Sequence, residues 1–196
     1  MSSVAETVAA LEAGELVVLP TDTVYGLACR PDREDSVRAL SALKGRTPEQ
    51  PIALVAGTVE ALLERVPELG AAPVVRGPFT LVLPNPARRL RWLTGSRPET
   101  IGVRLPGVEG AAAELLDAIG VVAATSANLH GGVDPARVGD VPVEIVNAVA
   151  AVLDGGALPG SPSTVVDLTG PEPRVLREGA VSAEEALARI GRVRAE

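Results

Sequence analysis

Cysteine, histidine and lysine each occur once in the 196 residues, as Cys29, His130 and Lys44. One cysteine excludes an internal disulfide and a cysteine-built zinc site, and one histidine excludes a histidine-rich metal centre. The site is therefore expected to hold no metal through protein ligands. The aromatic residues are Tyr25, Phe79 and Trp92 alone, too few for the successive base stacking that single-strand readers use. No apolar run reaches the length needed to span a bilayer. The opening MSSVAETVAALEAGE lacks the basic stretch of a signal peptide. Neither G-x-x-x-x-G-K-[ST] nor G-x-G-x-x-G occurs, which excludes a P-loop NTPase and a typical dinucleotide binder. The expectation is a soluble, cytoplasmic protein with no membrane association.

The formal net charge is −7, which argues against nucleic-acid binding over a broad surface, since that requires clustered Lys and Arg against several phosphates. A local basic cleft is still compatible with it. Of the 18 basic residues, only Lys44 is not arginine. Lysine is a compact point charge on a flexible stem, arginine a planar fork. Either Lys44 serves a site that needs the first kind, or it is a chance survivor of the bias.

Helical and strand patterns alternate along the chain. Residues 3–13, 34–43, a segment from Thr58, 109–119, 141–149 and 182–191 are predicted helical. Short strands are predicted at 15–20, 52–55, 79–83, 101–105, 121–125, 151–153, 164–168 and 174–177. The 17 prolines and 20 glycines fall mostly between these elements, as turn residues should. Roughly eight strands and six helices without a repeat or linker predict one α/β (α+β) domain over residues 1–196.

Polar residues concentrate at the strand ends. Thr21-Asp22-Thr23 before Tyr25-Gly26 either holds a small polar ligand or is an ordinary connection leaving a strand. Lys44-Gly45-Arg46 suits a polyanion, or answers the dipole of the preceding helix. Arg104 near the end of a strand can grip a carboxylate through two parallel hydrogen bonds, or be a surface charge. Thr125-Ser126-Ala127-Asn128 can approach phosphate oxygens without steric conflict, or cap a helix. Ser163 and Arg177 mark two further polar strand ends.

Taken in order, PTDTVYGL (20–27), LKGR with Pro51 downstream, GPFTLVL (77–83), IGVRLP (101–106), ATSAN (124–128), PSTVVDL (162–168) and VLREGAV (175–181) resemble the YrdC-like family of threonylcarbamoyl-AMP synthases. These pieces cover most of residues 14–181. The resemblance implies a twisted, largely mixed sheet curved around an open basic cavity. It also implies conversion of L-threonine, bicarbonate and ATP to threonylcarbamoyl-AMP and pyrophosphate, with Mg2+ on the phosphates. A separate transferase complex then modifies tRNA, and direct tRNA binding by this chain is expected to be weak or absent. By the same resemblance Lys44 and Arg46 are catalytic, and Lys44, Arg46, Ser126, Asn128 and Arg177 bind ATP, Arg177 at the rim. Thr23, Arg104 and Ser163 bind threonine. The chain departs from the family pattern at His130, where a small hydroxyl is expected, and at Arg76, where proline is expected. It resembles the short type without an extra C-terminal domain. The alternative is a non-catalytic RNA-binding module of the same fold, against which the charge and the scarcity of aromatics both speak.

Overall fold

The computed structural model describes residues 1–195. Helix α1 (Val4–Ala13) begins at a reciprocal cap: Ser3 Oγ accepts from Glu6 N, and the Glu6 carboxylate accepts from Ser3 N at 2.7 Å. It ends at Gly14, whose φ of 87° carries the chain into a left-handed turn. Strands β1 (Val17–Pro20) and β2 (Tyr25–Cys29) then form an antiparallel hairpin. Helix α2 (Glu34–Lys44) stops at Gly45, φ 68°, and leads to β3 (Ala53–Ala56). Thr58 caps α3 (Val59–Arg65), followed by β4 (Phe79–Pro84) and β5 (Thr100–Arg104). The rest is α4 (Gly110–Ile119), β6 (Val121–Ser126), α5 (Val143–Ala148), β7 (Ala151–Val152), β8 (Thr164–Asp167), β9 (Arg174–Arg177) and α6 (Ala183–Ala195).

All nine strands join one sheet in the order β7-β1-β2-β6-β3-β5-β4-β8-β9. The pairs β7–β1, β3–β5 and β4–β8 are parallel and the others antiparallel, so the sheet is mixed. The mixed α/β architecture is the expected one. The sequence reading missed β2, whose Tyr-Gly-Leu-Ala-Cys run follows three polar residues and lacks an alternating pattern. It is a central strand buried on both faces, Leu27 and Cys29 in one apolar layer and Ala28 in the other. A strand covered on both sides has no polar face and therefore no period of two. Helix α5 is shorter than the predicted 141–149, beginning only after Pro142.

The two apolar layers position the site. On one face α1 and α4 pack on each other and over β7, β1 and β6. They bury Leu11, Leu115, Leu116 and Ile119 against Val17, Leu19, Ala28, Val55 and Val122. On the other face Leu40, Leu62 and Ile190 cover Leu27, Leu54, Leu81, Val103 and Val166. Burying side chains of this size stabilises by roughly 1.5–3 kcal/mol each. Along the first face the helical cover ends near β3. Beyond it, the residues of β5, β4 and β8 on that face border an open cleft. No helix among the described residues is long and apolar enough to cross a membrane.

Candidate functional site: a cationic cleft on the open face of the sheet

The cleft encloses about 190 Å3, and its walls include Thr21, Arg46, Thr80, Arg104, Thr125, Ser126, Ser163 and Arg177 over a floor of Gly26, Ala53, Val55, Ala124 and Val165. Every charged residue in the wall is an arginine, and no carboxylate lines it, in a chain of net charge −7. Small floor residues, cationic walls and scattered hydroxyls make a receptor for a multiply charged anion.

Arg46 and Lys44, two residues apart, face different surroundings because Gly45 turns the chain between them. Arg46 reaches the cleft and donates to Thr125 Oγ1 at 2.8 Å and Pro51 O at 2.9 Å. Lys44 is 4% exposed and does not line the cleft. Its ammonium donates to Ser126 O at 2.5 Å, Asn128 O at 2.7 Å and Asn128 Oδ1 at 2.5 Å. Ser126 Oγ is a fourth, longer contact at 3.4 Å, so in this conformation the three ammonium hydrogens are taken up by the Ser126–Asn128 turn and none is left for a ligand. Burial first, then the neighbouring Arg46 charge, pull its pKa from 10.5 down to about 8, with Asp134 opposing. Burial also lowers the pKa of Arg46.

Ser126 lines the cleft and donates to Asn128 Oδ1 at 2.6 Å. Asn128 stands behind it, 7% exposed, with Nδ2 donating to Gly132 O at 2.6 Å. Across the cleft Ser163 Oγ lies 2.8 Å from Thr80 Oγ1. Arg177, on the edge strand β9, donates to Ser163 O at 2.8 Å and so sits at the rim.

Arg104 is 8% exposed. Its Nη2 donates to Asp22 Oδ1 and to Thr23 Oγ1, the latter at 2.7 Å. Its Nε is buried without a partner. Burial lowers its pKa, the Asp22 carboxylate opposes that, and the Arg177 charge adds to the lowering. Both edges of a guanidinium that offer paired donors include Nη2. The two-bond carboxylate grip expected from the sequence is thus closed while Nη2 serves Asp22 and Thr23, and Nε is the buried donor left over.

Of the expected ATP residues, Arg46, Ser126 and Arg177 meet in the cleft, while Lys44 and Asn128 brace it from behind. Of the expected threonine residues, Arg104 and Ser163 are in the wall, and Thr23 is fully buried beneath Arg104. Thr21, rather than Thr23, faces the space. Sequence reasoning also missed Asp22 as the partner of Arg104, and Thr80. The apolar alternation of Phe79, Leu81 and Leu83 was the one signal that set Thr80 on the opposite face. His130 is exposed, touching the site only through its backbone N–H to Lys44 O at 2.9 Å. Arg76 is structural: it donates to Pro106 O at 3.0 Å and Gly57 O at 2.6 Å, tying two loops.

A cleft of this kind, with three arginines and no carboxylate in its wall, is suited to an anionic small molecule. A model of the Sua5/YciO/YrdC family, described as telomere recombination, matches residues 9–179, and the chain belongs to that family. It is similar to the putative threonylcarbamoyl-AMP synthase of Mycobacterium tuberculosis (strain ATCC 25618 / H37Rv), 37% identical over 196 residues, covering 96% of this chain and 89% of the relative. It is similar to the threonylcarbamoyl-AMP synthase of Pyrococcus abyssi (strain GE5 / Orsay), 34% identical over 92% of this chain and 55% of the relative. The crystal structure of P. abyssi Sua5 complexed with L-threonine superposes with a TM-score of 0.84 at 32% identity, covering 96% of this chain and 57% of that one. This chain therefore spans little more than half the length of the archaeal protein.

Proposed function

We propose that this chain is an L-threonylcarbamoyladenylate synthase, a nucleotidyltransferase that converts L-threonine, bicarbonate and ATP to threonylcarbamoyl-AMP, pyrophosphate and water. The observation that carries the reading is the cleft wall, in which Arg46, Arg104 and Arg177 are the only charged residues. The synthase names of relatives at 34–37% identity and the threonine complex of the superposable archaeal structure support it. The reading takes residues 1–196 as one YrdC-like domain.

The threonine amine adds to bicarbonate with loss of water, giving a carbamate. A carbamate oxygen then attacks the α-phosphorus of ATP, the bond to the β-phosphate breaks, and pyrophosphate leaves. Both partners in that step are anions, so preset positive charge is the main contribution required of the protein. Arg46 and the Ser126 hydroxyl face the cleft together and are assigned to the triphosphate, with Arg177 against the nucleotide at the rim. Lys44 and Asn128 enter this assignment as positioning residues: they hold Ser126 and add charge behind the phosphates. On the opposite wall Arg104 and Ser163 are assigned to the threonine carboxylate and hydroxyl, and Thr23 holds Arg104 in place.

Magnesium would come with ATP. The hydroxyls of Thr125 and Ser126 fit it as supplementary oxygen ligands beside the phosphates, and no group of three His, Cys, Asp or Glu among the described residues makes a protein-built site. Bound there, it would neutralise charge on the triphosphate. The mixed anhydride product suits a downstream transferase complex that passes the threonylcarbamoyl group to tRNA in the cytoplasm.

The test is pyrophosphate release by the purified chain with ATP, magnesium and bicarbonate, with and without L-threonine. Threonine-dependent release with threonylcarbamoyl-AMP detected by mass spectrometry is expected. Folded protein that releases none overturns the reading and makes a non-catalytic RNA-binding module the one to measure next.

A further inference from the structure

Strand register sets four residues in one row across the open face of the sheet. β4 and β5 pair Leu81 with Val103, so Thr80 and Arg104 stand opposite at the next position. β4 and β8 pair Thr80 with Val165, and β8 and β9 pair Val165 with Arg177. A bulge on β9 admits Leu176 as an extra residue, so Arg177 takes the place opposite Val165, the re-aiming that bulges beside a site commonly achieve. Residues directly opposite in a sheet share a face, and Arg104, Thr80, Val165 and Arg177 all line the cleft. The row carries a guanidinium at each end, their backbones roughly 14 Å apart over three strand spacings. Thr80 is the one hydroxyl between them.

Thr80 Oγ1 and Ser163 Oγ are 2.8 Å apart. Two hydroxyls so paired spend one hydrogen between them and keep one. Arg177 Nη2 also donates towards Ser163 Oγ, at 3.4 Å. With a cation on its oxygen, Ser163 gives its hydrogen to Thr80, and Thr80 keeps the uncommitted one. Of the two side chains Thr80 is the more open, half-buried against 5% exposure for Ser163. Asp22 answers the Arg104 charge from behind, whereas Arg177 has no carboxylate partner among the described residues. A hydroxyl donor between two cations selects an anionic oxygen and repels an ammonium.

We infer that Thr80 is a substrate-binding residue whose hydroxyl donates to the carboxylate of the bound amino acid, between the charges of Arg104 and Arg177. This rests on the proposed assignment of the Arg104 wall to threonine, and it adds a contact which that assignment leaves out. The carboxylate is the anion that arrives with the amino acid itself, before any carbamate exists. Held at the centre of the row, it leaves the amino group pointing away from the two guanidinium groups.

The experiment is Thr80→Val, which removes the hydroxyl and keeps a β-branched strand former, with Thr80→Ala beside it and Thr80→Ser to restore the hydroxyl. The L-threonine Kd is measured by calorimetry without ATP, and KM for threonine, bicarbonate and ATP by turnover, with thermal unfolding alongside. In both hydroxyl-free variants the threonine Kd and KM should rise by roughly 10-fold, the usual worth of a hydrogen bond to a charged group. The ATP and bicarbonate KM should stay near wild type, and Thr80→Ser should bind threonine as the wild type does. An unchanged threonine Kd in either folded hydroxyl-free variant overturns the inference and leaves the proposed function standing. So does a loss confined to the bicarbonate KM, which would move Thr80 to the carbamate. Parallel losses for threonine and ATP, or no recovery in Thr80→Ser, also overturn it, because the shape of the wall and not the hydroxyl would then matter. Wild-type chain that binds no threonine sinks the proposed function and the inference together.

Discussion

Asp22 and Arg104, 82 positions apart, form a buried ion pair between the β1–β2 turn and the end of β5. The second carboxylate oxygen of Asp22 accepts from Gly107 N at 2.8 Å. The pair thus pins both the guanidinium and the loop that follows β5. Removing Asp22 leaves a buried cation without its counter-charge, and that loss typically exceeds what the pair contributes over an apolar substitute. Asp22→Ala is expected to lower stability by about 3 kcal/mol in urea unfolding and to raise the threonine KM more than the ATP KM. Arg104→Ala should show the same KM asymmetry, and an unchanged threonine KM in both variants would remove this pair from the amino-acid side.

Lys44 is the only lysine, so its ammonium can be followed as a single signal in lysine-labelled protein. The signal should titrate near pH 8, since burial disfavours the charged form. With the folded value below the ordinary 10.5, the unfolded chain binds the extra proton between those two pH values. The cost of burying the charge is then present in full below about pH 8 and is relieved as pH rises towards 10.5. Above pH 8 the neutral amine has one donor fewer for the Ser126–Asn128 turn, and kcat/KM should decline there. A lysine signal titrating at its ordinary value would contradict this.

Arg46 faces the cleft and contributes only two outward hydrogen bonds to the fold. Arg46→Ala should therefore fold normally, and its kcat/KM for ATP should drop by roughly 100-fold, the usual loss on deleting a charge-stabilising donor. Because the contact is to phosphate, the threonine Kd without ATP should barely move. Parallel losses for both ligands would point to collapse of the cleft instead.

Tyr25 lies within the same motif as Thr23 yet belongs to the scaffold. Its hydroxyl donates towards Asp154 Oδ1 and Gly156 O, both at 2.8 Å, and accepts from Gly155 N at 3.0 Å. Asp154, Gly155 and Gly156 are exposed and can turn to water, so Tyr25→Phe should cost only about 0.5–1.5 kcal/mol. Turnover and both KM values should stay near wild type, and a selective rise in either would give Tyr25 a place in the site.

Much of the architecture was legible because apolar periodicity and turn residues are local properties. Gly14 and Gly45 end helices, Ser3 and Thr58 begin them, and the Phe79, Leu81, Leu83 alternation marks a half-buried strand. The strand β2 was not legible, since burial on both faces erases the alternation that identifies a strand. The polar clusters could be named from composition and order, and Arg46, Arg104, Ser126, Ser163 and Arg177 do converge on one cleft.

The sequence by itself determined most of the elements, β2 excepted, together with the cationic residues and the family, all of which depend on residue type and spacing along the chain. Tertiary structure alone decided which members of each cluster face the cleft. Lys44 turns inward and Arg46 outward because Gly45 reverses the chain at φ 68° and the Ser126–Asn128 oxygens lie within reach of the ammonium. Thr23 is covered while Thr21 lines the cleft because Arg104 arrives over Thr23 from a strand 81 residues away. Such contacts depend on how distant strands cross, and no local pattern records that.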